Sequence, residues 1–487
     1  MKQLRQFFAA HWSTFAVVLS FLLFAIWLVP FWSIFEFDPD EGGNLAKAAL
    51  AANGLALFRD IWSDQPPLVT WLVASLFWIT GPSIVVARCV ILGFASLLVG
   101  LLFALLKRRY GLIASLVGVG ALVLSLNFVT LSVSFMIGLV SVSLYVAAVC
   151  SLMQADQSPS RARVWLLVSG LLCGLSLAAK LFTLPLVVLL GVYAVAHHAR
   201  RSFGFFAGLA VVVVMVVVTV SAGAGYEAFE QVTRSHVVAF DNAGYDWRRR
   251  IAGVWENRFL LIAASAGSIV ALLRRQWLPV AWFAYGLAVI LLHQPFFLHH
   301  FVLSTVPAAW LVAIFTGAVL EEFRGPVANA SRTRAISRAL LTGALVVVAA
   351  TSAIVQVERL QSIGAADAER SVRKSDTNNL IVATLRANHG GNPWVLTDRP
   401  MFAIRAGLLA LPELAVFSKK RMGVINVDSP DLFSELVVKY RSPQVVLARH
   451  QAYPPSFLEE LQRDYKPVGV NDGTIRQFAK RTARDGN

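Results

Sequence analysis

Four carboxylates, Glu36, Asp38, Asp40 and Glu41, follow directly on an apolar run that ends at Phe35. Carboxylates crowded beside a membrane are costly unless water, a cation or a ligand meets them. Asp40 and Glu41 precede Leu45, Ala48, Ala49 and Ala52 at helical spacing, with Gly54 as a stop. This predicts a short amphipathic helix whose first turn holds both acids. The helix dipole favours ionised carboxylates there, and an ionised carboxylate facing a hydroxyl is a general base. Spacing alone leaves equal room for Asp40 as a plain helix cap. Glu36 and Asp38 read as solvated loop acids. Further on come Asp60, Asp64 and Pro66-Pro67. The proline pair predicts an extended approach to the membrane. Asp64 is then a second carboxylate or a metal ligand near headgroup level, or else a solvated loop acid.

Candidate cations lie elsewhere in the chain. Lys180 stands between two apolar runs, where an ammonium binds a phosphate as a point charge; the alternative is a snorkelling lysine on bulk lipid. His293, His299 and His300 flank Gln294-Pro-Phe-Phe297 and could donate to a phosphate or ligate a metal. Arg234 and His236, in a polar stretch over 223–256, could close over the same group. A solvated loop accounts for each of those two taken alone.

The elements that must position these groups are membrane helices. The chain has 487 residues, 57% hydrophobic and 15% charged, against about a quarter charged in soluble domains. Apolar runs long enough to cross a bilayer recur from Phe15 to Ile354. The net charge of +15 gathers at the ends of those runs, for example Lys107-Arg108-Arg109 and Arg200-Arg201. That is the pattern of membrane orientation and argues against a nucleic-acid partner. The cysteines Cys89, Cys150 and Cys173 all sit in apolar runs, so no disulfide framework follows. Met1 leads into a first helix without a cleavage signal, so that helix is read as retained.

About eleven spans are predicted, near 12–35, 83–106, 111–128, 131–152, 164–179, 181–198, 203–222, 257–273, 277–293, 299–320 and 335–356. The run 66–80 reaches only about 21 Å as a helix, short of a hydrocarbon core of about 30 Å. Laid along the surface it leaves every later basic cluster inside, so it is read as a juxtamembrane element. The fold class is therefore a polytopic α-helical membrane protein with outer juxtamembrane helices and a small C-terminal α/β soluble domain. Residues 1–359 form the transmembrane part, with outer loops 36–82 and 223–256, and residues 360–487 the soluble part. In the latter, Trp394-Val-Leu-Thr and Gln444-Val-Val-Leu-Ala predict strands, and Leu432–Tyr440 and Ser456–Tyr465 amphipathic helices.

Together these residues resemble the GT-C class of membrane glycosyltransferases, and within it the branch of protein O-mannosyltransferases and lipid A aminoarabinose transferases. The resemblance covers about residues 10–360. It is carried by Pro39-Asp40-Glu41 after the first helix, and by Ser63-Asp-Gln-Pro-Pro-Leu68 with Gly81 through Arg88. Gly174-Leu-Ser-Leu-Ala-Ala-Lys180 and His299-His300-Phe301 through Pro307 complete it. The chain departs from the family in Gln65, where a lysine is common, and in having histidine at 299 and 300 in place of arginine. It also has no acid in Thr130–Phe135.

The resemblance implies transfer of a sugar from a polyprenyl-phosphate carrier to an acceptor hydroxyl on a lipid, glycan or protein. Transfer would occur on the outer face of the plasma (inner) membrane, usually with inversion. On that basis Asp40 and Glu41 are catalytic carboxylates. Lys180, Arg234, His236, His299 and His300 hold the donor phosphate, and Asp64 is a second carboxylate or metal ligand. No cofactor is named with certainty, and a divalent metal ion stays open. A lipid or glycolipid transporter is the main alternative, and a non-catalytic assembly factor a third. A transporter places charges near mid-helix and breaks helices in pairs, whereas here the charges gather at span edges.

Overall fold

The computed structural model describes residues 2–233, 247–294, 296–324, 376–416, 430–448, 455–471 and 475–481. The expected span over 335–356 lies outside them. In chain order, α1 is Lys2–Leu28, α2 Pro39–Ala52, α3 Leu68–Thr80, α4 Ile84–Val123, α5 Leu126–Val133, α6 Gly138–Gln157 and α7 Ala162–Ala179. Then come α8 Leu184–His198, α9 Phe203–Ala224, α10 over 226–233, α11 Trp247–Glu256, α12 Arg258–Leu273, α13 Trp277–Leu292 and α14 Val302–Arg324. Among the described residues six helical stretches are long and apolar enough to cross a membrane, seven if the bent pair Arg250–Glu256 and Arg258–Leu273 is one span.

Three boundaries differ from the sequence reading. The first helix ends at Leu28, not near residue 35. Pro30 explains this, because it lacks an N–H and disfavours helix in the residue before it. The 223–256 stretch is not one polar loop but contains α10 and α11. The approach to α3 is not extended up to the membrane, since Pro67 already has helical backbone (φ −83°, ψ −18°). The expected break near residue 111 is present: Gly111 at φ 85° divides α4 into two helices, a left-handed backbone that glycine adopts without a side-chain clash.

Helix α2 forms as the spacing predicted and ends at Ala52, with Asn53 as its C-cap followed by Gly54 at φ 89°. Helix α3 buries Val69, Val73 and Phe77 and exposes Trp78 and Ile79. Its 13 residues rise about 20 Å.

The C-terminal part is a five-stranded sheet in the order β2-β1-β3-β5-β4, with β1 Trp394–Thr397, β2 Leu409–Ala410, β3 Gln444–Leu447, β4 Tyr465–Asn471 and β5 Arg476–Lys480. Strand β1 runs parallel to β2 and β3, whereas β5 is antiparallel to β3 and β4. The predicted β1 and β3 are there, and the helices expected over Leu432–Tyr440 and Ser456–Tyr465 span Pro430–Tyr440 and Pro455–Asp464, with Tyr465 opening β4 instead. One core of this part is its own, built from Leu396, Leu436, Val445 and Phe478. A second is shared with α2, where Ala46 and Leu50 pack with Val395, Phe402 and Ala410.

Helix α15 (Met401–Ala406) brings the sheet onto α2. A Cβ added at Gly42 would lie 3.0 Å from the Met401 nitrogen and 2.7 Å from Glu36 Oε1, and one at Gly43 would lie 3.2 Å from the Ala415 carbonyl oxygen. The glycine pair is what permits this approach. Arg405 donates to the carbonyls of Ile34 and Phe35. Arg399 Nε donates to Glu36 Oε2 at 2.7 Å. Glu36 is therefore no solvated loop acid, for its side chain is 2% exposed.

Burial pushes Glu36 up to about 7, against the pull of Arg399. A raised acid is stabilising in its protonated form, so its contribution is complete below its ordinary value of 4.5 and is lost as pH rises through about 7. Thermal unfolding followed against pH is expected to show wild-type stability falling across that window. Glu36→Gln is expected to flatten this part of the profile, and identical profiles would refute the assignment.

Candidate active site

The site is built on α2. Asp38, also read as solvated, is the helix N-cap: its backbone is extended and its Oδ1 accepts the Asp40 N–H at 2.9 Å. That leaves the Asp40 carboxylate in the first turn, on an exposed residue and without the capping duty. Glu41 faces the other way and is fully buried. Its carboxylate forms a two-pronged ion pair with Arg88 of α4, Nε to Oε1 at 2.8 Å and Nη2 to Oε2 at 2.7 Å. It also accepts the N–H groups of Phe37 at 3.0 Å and Phe135 at 2.9 Å. Arg88 Nη1 donates to the carbonyls of Phe31 and Ile34. This buried box ties α2 to α4, to the turn after α1 and to the segment after α5. A buried pair of this kind is sound only because nearly every donor and acceptor is matched.

Lys47 was not singled out by the sequence reading, which followed the apolar spacing around it. It is 2% exposed. Burial lowers its pKa, and the charges of Asp64 and Asp40 pull it back up. Asp64 is itself only 9% exposed and accepts from the Gln65 amide at 3.0 Å. The loop holding it is tied to α10: the Ser63 N–H donates to Gln231 Oε1 at 3.0 Å, and the Gln231 amide donates to the Phe58 carbonyl at 2.7 Å. Among the described residues no three His, Cys, Asp or Glu side chains gather as a metal-binding group.

Lys180 ends α7 with extended backbone. A buried hydroxyl group of Ser141, Ser176 and Thr183 fixes the break, with mutual distances of 2.9–3.1 Å. Lys180 Nζ lies 3.4 Å from His299 Nε2 and 5.0 Å from the Phe182 ring centre. Two candidates chosen separately from the sequence, 119 positions apart, therefore meet. His299 stacks on Phe297 at 5.2 Å, and the His300 ring stands at 86° to it. His300 instead faces His293 at 5.0 Å. Arg250 caps the end of α13, donating to the carbonyls of Ile290 and His293. Arg234 and His236 lie outside the described residues.

The two halves adjoin through one short segment. Phe135 is held by Glu41, and three residues later Gly138 packs against the Phe182 ring and the Lys180 stem, which a Cβ there would meet at 3.3 and 3.8 Å.

Residues 64–222 match the family model of dolichyl-phosphate-mannose-protein mannosyltransferases. No curated protein matches the sequence. The fold is similar to that of ArnT from Cupriavidus metallidurans in the apo state, at 15% identity and a TM-score of 0.67, covering 98% of this chain and 99% of that one. The same protein bound to undecaprenyl phosphate matches with 13% identity and a TM-score of 0.67, over 99% of each chain. An oligosaccharyltransferase from Archaeoglobus fulgidus, in complex with zinc and sulfate, matches with 11% identity and a TM-score of 0.53, covering 95% of this chain and 73% of that one. The resemblance carried by the sequence motifs is thus met by a domain match over 64–222 and by the whole-chain architecture, and the chain has the fold of the GT-C membrane glycosyltransferases.

Proposed function

We propose that the protein transfers a sugar from a polyprenyl-phosphate carrier to an acceptor hydroxyl, with inversion, on the extracytoplasmic face of the inner membrane. The observation that carries this is the division of labour on α2. Glu41 is locked in the Arg88 box, its neighbour Asp40 is exposed, and Lys180 with His299 stands across the Phe135–Gly138 segment. The ArnT structure bound to undecaprenyl phosphate supports a polyprenyl carrier. About eleven spans, with 360–487 outside as a soluble domain, suit this reading.

In the reaction, the acceptor hydroxyl gives its proton to the Asp40 carboxylate. Its oxygen bonds to the anomeric carbon while the bond from that carbon to the phosphate oxygen breaks. Polyprenyl phosphate leaves with the electron pair. Lys180 and His299 oppose the charge growing on it, with His300, Arg234 and His236 as further donors around the phosphate. Asp64 is the second carboxylate and orients the acceptor. Glu41 acts as a positioning residue through Arg88. The acceptor is a lipid, glycan or protein hydroxyl.

Purified protein given a polyprenyl-phosphate sugar and a membrane extract as acceptor source is expected to release polyprenyl phosphate. Absence of release from the wild type would sink the reading. Lys180→Ala is expected to raise the KM for the donor by about tenfold or more, the worth of one charged hydrogen bond. A KM unchanged in that variant would remove Lys180 from the phosphate site.

A further inference from the structure

We propose that Lys47 is a positioning residue for the transfer reaction: its ammonium, held on α2, is the fixed counter-charge that lets the carboxylates of Asp40 and Asp64 share one site. The inference rests on the proposed function for its chemistry, and for the pairing on the placement of Lys47 and Asp40 on α2 and of the Asp64 loop against that helix. Lys47 lies seven residues after Asp40, two helical turns along the same face. The two Cα atoms are about 10.5 Å apart along the axis, and a helical side chain leans back toward the N-terminus. The lysine stem covers most of that gap.

Asp64 arrives from a separate element, the loop that Gln231 fastens and whose Leu57, Phe58 and Ile61 share a core with Ala46 and Leu50 on either side of Lys47. Lys47 has the fully buried Ala46 and Ala48 on either side, surroundings in which an ammonium without carboxylate partners would be strongly destabilising. Both carboxylates act on it electrostatically. Two carboxylates brought together without a cation repel, and one takes up a proton. A protonated Asp40 is no base.

The other charged groups nearby are committed elsewhere. Asp38 caps α2, Glu41 pairs with Arg88, and Glu36 pairs with Arg399. Lys47 is the cation that α2 itself supplies.

The test compares Lys47→Met, Lys47→Arg, Asp64→Asn and the double variant Lys47→Met/Asp64→Asn in the full-length protein. Lys47→Met is expected to lower kcat at least tenfold with the donor KM little changed. Its kcat/KM profile should have the acid limb moved up by about one pH unit, the lower end of what an adjacent opposite charge contributes. Lys47→Arg, which keeps the charge, should keep the wild-type limb. A lysine that merely filled space would not move the limb, so an unmoved limb in Lys47→Met overturns the proposal.

Thermal unfolding supplies a second arm that needs no activity. Removing both charges should cost less than the sum of the single losses. Strictly additive losses, or a double variant that fails to fold wherever Lys47→Met does, also overturn the proposal. This arm remains decisive if the wild type shows no transfer at all, an outcome that refutes the proposed function but not the pairing.

Discussion

Asp40→Asn is expected to cut sugar transfer by about 10²–10⁴-fold, the usual worth of a positioned general base, while the protein stays folded with α2 capped. The second half of the prediction separates base from cap. Loss of a cap costs about 1 kcal/mol, but the cap of α2 is Asp38, whose carboxylate takes the Asp40 N–H. Asn at position 40 keeps shape and polarity on an exposed residue and leaves the cap in place, so the fold loses only the pull of one of the two carboxylates on buried Lys47. Polyprenyl phosphate release at saturating donor measures the first half, and unfolding in detergent the second. Undiminished turnover would remove Asp40 from catalysis. Loss of the folded state would instead give it the structural duty that the sequence left open.

Arg88→Ala is expected to destabilise the protein by about 3–5 kcal/mol, because it strands the Glu41 carboxylate in a fully buried place. The loss is wider than one ion pair. Arg88 also holds the carbonyls of Phe31 and Ile34, and Glu41 holds the N–H groups of Phe37 and Phe135. Without the guanidinium, α2 is no longer registered against α4 or against the segment leading to Lys180. Activity should therefore fall even at temperatures where the fold survives. Arg88→Lys should recover only part of either property, since an ammonium cannot make the two-pronged contact. Unfolding of Arg88→Ala at the wild-type temperature would show that the box is not what holds α2.

Local features were legible in the sequence. The apolar spacing and Gly54 bounded α2 correctly, and β1 and β3 stood out as short apolar runs between polar turns. Lys180 and His299 were picked because each is polar where an apolar run ends, and they do meet. Charges whose partners lie far along the chain were misread. Glu36 looked solvated because Arg399 is 363 positions away, and local charge density says nothing about a fold that closes over it. Lys47 was passed over for a related reason. A lysine within an alanine-rich helix is usually exposed, and only the arrival of the Asp64 loop shows why this one is inside. Strand β4 was missed because Pro467 and Gly469 weaken its strand signal.

The contact between α2 and the C-terminal sheet also constrains the path of the chain through the bilayer. Gly42 against Met401, and Glu36 against Arg399, can form only if residues 36–42 and 399–401 lie on the same side. The chain between them must then cross an even number of times, whichever side that is. If the nine apolar runs from 83 to 320 all cross, a tenth crossing is needed. By sequence length the apolar run 335–356 would reach about 33 Å if helical, whereas α3 reaches about 20 Å. No single span between residues 42 and 399 can be deleted, or added, without pulling the carboxylates of α2 away from the sheet that packs against them.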